Sequence, residues 1–135
     1  MAIKNKTAVA LLSLRLSVFL VMLMWTIDKF VNPGHTIRVY DHFYPITGLG
    51  NFTVYLIGAI ELVILFCFIT GIKKRYSYGA VLAFHAVSTL SSLEIYLSPF
   101  NGSNLLFFAA WPMLAACLTL FLLRDQDRLM TLTTR

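Results

Sequence analysis

The chain has 135 residues, 59% of them hydrophobic and 13% charged, with a net charge of +5 and a mean hydropathy of +0.77. A soluble domain carries about a quarter charged residues, and a small one still leaves about 30% of its surface in water. This composition argues against a soluble enzyme, a disordered tail, a disulfide-rich secreted scaffold and a nucleic-acid-binding domain, and it selects the lipid bilayer as the solvent.

In chain order, Lys4 and Lys6 precede a first apolar stretch at 8–30, which carries Arg15, Trp25, Asp28 and Lys29 and ends at Asn32-Pro33-Gly34. Proline lacks a donor and disfavours helix in the residue before it. The connection 31–50 is long for so small a protein. If 35–43 forms a short helix, Ile37, Tyr40, Phe43 and Tyr44 share a face, which predicts an interfacial lid or anchor. Its His35 and His42 have no carboxylate or cysteine at ligand spacing, so no metal site is expected. A second stretch, 52–72, carries Glu61 and closes at Gly71 before the turn Lys73-Lys74-Arg75. The third, 76–97, holds His85, Ser88, Thr89, Ser92, Glu94 and Tyr96, and Ser98-Pro99-Phe100-Asn101-Gly102 follows. The fourth, 105–123, contains Trp111-Pro112, where proline predicts a kink, and Arg124-Asp125-Gln126-Asp127-Arg128 marks the exit.

Each stretch has roughly the 20 residues that a helix needs to cross about 30 Å of hydrocarbon. The expected fold is all-α: one antiparallel four-helix transmembrane bundle occupying 1–135. The charge is unevenly placed. Lys4 and Lys6, then Lys73 to Arg75, then Arg124, Arg128 and Arg135 flank alternate ends of the spans. Basic residues collect on the cytoplasmic side, so four spans with both termini cytoplasmic put all three clusters there. This predicts a multi-pass inner-membrane protein.

Ionisable residues inside lipid cost about 2.5–3.5 kcal/mol each on insertion scales. Arg15 lies about 10 Å from the inner end; its stem either snorkels to the headgroups or pairs with Glu61. Glu61 and His85 both fall near the midplane on consecutive helices. His85, Ser88, Thr89, Ser92 and Tyr96 recur at i, i+3, i+4, i+7 and i+11, forming one polar stripe. Helix packing uses such stripes of hydroxyls. The shared depth of Glu61 and His85 favours instead a proton-handling or head-group site between the helices. In that reading Trp111 stacks on a flat ligand, and Trp25, Asp28, Lys29 and Glu94 surround the outer mouth.

Several of these residues carry a family resemblance. Arg15, Lys29-Phe30 and Pro33 on the first helix, and Gly58, Glu61 and Gly71 ahead of the basic turn on the second, resemble the DoxX family of small four-helix membrane proteins over nearly the whole chain. The resemblance implies membrane-associated redox metabolism or oxidative-stress defence, as in the small subunit of a thiosulfate:quinone oxidoreductase. It marks Arg15, Lys29 and Glu61 as positions to carry over. The first functional expectation is therefore a redox-associated protein holding a quinone-like molecule within the bundle, beside a redox partner subunit or a second copy of itself. The alternatives are a proton-coupled small-molecule transporter, and a non-catalytic assembly or anchoring subunit.

Overall fold

The computed structural model describes residues 2–132. The first helix, α1 (Ala2–Val31), is about 45 Å long at 1.5 Å per residue, more than the hydrocarbon thickness. Asn32 ends it and starts the next: its side chain accepts the His35 amide proton, and Pro33 takes the first helical position of α2 (Pro33–Phe43). Proline suits that position because the first amides of a helix have no intrahelical acceptor. The short helix expected over 35–43 thus starts two residues earlier.

The next helix, α3 (Asn51–Thr70), stops at Gly71, whose φ of +71° lies in the left-handed region that glycine enters without strain. The Ile72 amide then bonds the Cys67 carbonyl at 2.8 Å, closing the helix end. After the basic turn come α4 (Lys74–Ser91), the short α5 (Leu93–Tyr96), a 3-10 segment (Asn104–Ala109) and α6 (Ala110–Leu122). No strand occurs among the described residues.

Three helical segments are long and apolar enough to cross a membrane: Ile3–Val31, Asn51–Thr70 and Asn104–Leu122. The expected third crossing at 76–97 is not one continuous apolar helix. It begins with Lys74 and Arg75 and breaks at Ser92. There the Ser92 amide bonds Thr89 at i−3 and its hydroxyl bonds the Ser88 carbonyl. Serine hydroxyls that compete for backbone acceptors weaken a helix in this way. The expected kink at Pro112 also takes another form. Pro112 is the third residue of α6, where its missing amide costs nothing, and the irregularity moves upstream into the 3-10 segment.

Packing places α1 against α3 and α4 against α6, with α3 touching α4, α1 touching α6, and α2 lying across α1 and α3. The best-buried core joins Leu11 and Val18 of α1, Leu65 and Phe68 of α3, Tyr78 and Val81 of α4, and Cys117 and Leu120 of α6. These residues come from the starts of α1 and α4 and the ends of α3 and α6, so neighbouring helices run in opposite directions. Outward faces are apolar, with Leu20, Phe66 and Leu122 all exposed. Such surface suits a lipid solvent.

Candidate functional site

The ionisable residues singled out in the sequence gather at three separate places rather than one. The first is a carboxylate held between two helices. Thr26 and Lys29 are three residues apart on α1 and share a face. From there Lys29 Nζ reaches Glu61 Oε2 of α3 at 3.0 Å and the Trp25 carbonyl at 3.3 Å. Its stem turns back along the helix rather than out toward water. Thr26 Oγ1 lies 3.0 Å from the same Glu61 oxygen and 2.9 Å from the Met22 carbonyl, so its one proton serves one of them at a time.

Gly58 makes this approach close. It precedes Glu61 by one turn, and a Cβ there would meet the Phe30 ring at 2.7 Å and Lys29 Cβ at 3.4 Å. Above the pair, α2 contributes Tyr40, whose phenol is pushed up to about 12 by burial and by the negative charge of Glu61. His35 Nδ1 sits 2.6 Å from Asp28 Oδ2, and its ring stacks with Trp25. Trp25, Asp28 and Lys29 thus lie together at the end of α1, whereas Glu94 stands apart and exposed on α5.

The second place is the far end of the fold. Arg15 neither snorkels nor pairs with Glu61; it is fully buried 3.3 Å from Asp127, which is equally buried. Tyr78 bridges the two, accepting from Arg15 at 3.2 Å and donating to Asp127 at 2.8 Å. Arg15 Nη2 donates to the carbonyls of Leu129 and Met130, while Nε and Asp127 Oδ1 are buried without a hydrogen-bond partner among the described residues. Lys74 Nζ donates to the Asp127 carbonyl at 2.6 Å, and the Leu132 amide bonds Thr70 at 2.8 Å. The chain beyond α6 thus folds back as a strap across the end of α3 and the start of α4 and against the middle of α1. Burial lowers the Lys74 ammonium from its ordinary range, with Asp127 opposing that shift.

The third place is the contact of α4 with α6. His85 Nε2 lies 2.9 Å from the Ala110 carbonyl. A carbonyl only accepts, so Nε2 carries a proton. Thr89 is buried and bonds back to the His85 carbonyl, but Ser88 on the same stripe is exposed. Trp111 is 43% exposed and tilts against Tyr96 at 5.5 Å between ring centres, so it packs within its own corner rather than over Glu61.

Glu61 thus bonds to α1 and His85 to α6, and no hydrogen bond or ion pair joins them among the described residues. Sequence reasoning passed over Asp127, Tyr78 and Thr26. The i, i+3 spacing of Thr26 with Lys29 and of Gly58 with Glu61 is the signal that marks the α1–α3 contact. Nothing local links Arg15 to Asp127. Comparison of this chain with protein-family models, with curated proteins and with solved structures finds no match.

Proposed function

We propose that this chain is a four-span inner-membrane protein, with both termini cytoplasmic, that serves as an assembly or anchoring subunit beside a redox partner of the kind the DoxX resemblance implies. The observation that carries this reading is the closure of the buried charges on one another. Lys29 and Thr26 occupy Glu61, and Tyr78 and Asp127 occupy Arg15. Groups engaged in this way hold helices in register, the best-attested use of buried polar residues.

Four crossings are supported by the alternation of helix directions and by the basic residues. Lys73 to Arg75 and Arg124 to Arg128 lie together at the strap end, toward which the start of α1 also points. Helix α4 alone is about 27 Å long, close to the hydrocarbon thickness.

The test is the abundance of the partner. In cells expressing a tagged chain in place of the native one, deletion of the chain should lower the redox partner's level severalfold, His85→Ala should leave it intact, and Glu61→Gln, which leaves Lys29 unmatched, should lower it only as far as it lowers the abundance of the chain itself. Substrate-dependent proton uptake into vesicles that Glu61→Gln abolishes would overturn this reading in favour of transport. A second reading, a quinone-like ligand, is favoured by two ion pairs near the end of α1, Lys29–Glu61 and Asp28–His35, with Tyr40 of α2 near enough to Glu61 to feel its charge. It predicts a quinone co-extracted in native lipid and lost in Glu61→Gln.

A further inference from the structure

At the strap end, the turn between α3 and α4 and the chain just beyond α6 enclose an open cleft of about 600 Å³. Lys73, Lys74, Arg75, Arg124 and Arg128 line it, with Tyr76 and a single acid, Asp125. Five cations against one carboxylate is a steep local excess. Parts of it are already engaged. Lys74 donates to the Asp127 carbonyl, and Arg124 donates to the Phe121 carbonyl with its guanidinium over the Phe121 ring. Lys73 and Arg75 are exposed and form no ion pair among the described residues, and Arg128 is exposed with only a long bond to the Asp125 carbonyl.

The start of α4 adds to the field. Its N-cap is Lys73, which offers no side-chain acceptor to the first amides, so the positive end of the helix dipole also opens on the cleft. Several like charges held this closely repel one another, and a bound anion relieves that repulsion.

We infer that this cleft binds the phosphate headgroup of an anionic phospholipid. The surroundings favour a lipid over free phosphate. Leu118 and Leu122, four residues apart on α6, form an exposed apolar track leading up to Arg124, and Phe66 is exposed one turn before the end of α3. Tyr76, 72% exposed at the rim, is the kind of residue found at headgroup level. A headgroup in the cleft would leave its acyl chains along this apolar surface. Soluble phosphate has no use for it. Basic pockets between membrane helices bind anionic headgroups on the same principle.

The experiment reads lipid retention by native mass spectrometry after release from vesicles of phosphatidylcholine with or without phosphatidylglycerol. Phosphatidylglycerol should be retained at least tenfold over phosphatidylcholine. Each cation removed should lower retention about fivefold, so Lys73→Gln, Arg75→Gln and Arg128→Gln together should lower it on the order of a hundredfold. Lys4→Gln with Lys6→Gln, which removes charge from the same end but outside the cleft, should leave retention within about twofold of the parent. Helical content in pure phosphatidylcholine, read by circular dichroism, establishes that the triple variant is folded. If that variant unfolds, Arg75→Gln alone, at an exposed position, carries the test through its fivefold loss. Equal retention of the two lipids, or an equal loss in the Lys4 and Lys6 variant, overturns the site. Inorganic phosphate at millimolar concentration, retained by protein released from pure phosphatidylcholine as fully as phosphatidylglycerol is, overturns the lipid assignment.

Discussion

Replacing Asp127 by alanine should destabilise the protein more than any other single change in the strap. Arg15 and Asp127 each have no exposed side-chain surface and lie 3.3 Å apart. Removing one member of such a pair leaves the other charge buried and unmatched, a cost of about 3–5 kcal/mol. Asp127→Asn keeps the shape and an acceptor for the Tyr78 hydroxyl, a bond worth about 1 kcal/mol, so it should cost about that much less. The Lys74 bond survives both changes because it ends on the backbone carbonyl. Arg15→Met with Asp127→Leu removes both charges but leaves the buried Tyr78 hydroxyl without a partner, so it should cost about 1–3 kcal/mol, less than the two single changes added. The assay is reversible unfolding by sodium dodecyl sulfate in mixed micelles, followed by helical circular dichroism. Hydrogen exchange at the Leu132 amide, bonded to Thr70, reports separately whether the strap has lifted. If the double variant costs as much as the two single changes added, the residues are uncoupled and the argument fails.

Three further outcomes follow from the same geometry. Tyr40 ionises at about 12 rather than its usual 10.0, so its contribution to stability is complete below pH 10 and is lost as pH rises from 10 toward 12. The Tyr40→Phe difference in phenolate absorbance isolates that titration, and Glu61→Gln should move it downward because the carboxylate charge is one of its causes. Gly71→Ala should lift the strap without touching a charge: φ is +71° and the new Cβ would sit 2.7 Å from Thr131. The left-handed backbone alone costs about 1–2 kcal/mol, and faster exchange at Leu132 should accompany it. Gly58→Leu should part α1 from α3 at Phe30 and Lys29. A cysteine pair placed across that contact should then cross-link more slowly than in the parent, and an unchanged rate would refute the close approach.

Much of the fold was legible because its causes are local. Asn32-Pro33 ends one helix and begins another, Gly71 closes α3, and the apolar lengths of α1 and α3 announce themselves. The break in the third stretch was not legible, because average hydropathy hides the competition of the Ser92 hydroxyl for the Ser88 carbonyl. Site geometry was less accessible. Depth along a helix can be counted, so Glu61 and His85 were placed at one level. Rotation about the axis cannot be counted, and one turns to α1 while the other turns to α6. Asp127 was read as part of a polar exit from lipid because no periodicity connects it to Arg15, 112 residues earlier.

That long separation has a consequence for biosynthesis. Arg15 enters the membrane with the first helix, whereas its counter-ion is translated only after the last. Until then the nascent protein carries an uncompensated guanidinium, costly inside a bilayer and an expected signal of immaturity. Docking of the strap would end that signal, so chains cut short of residue 127 should be degraded sooner than their intact siblings.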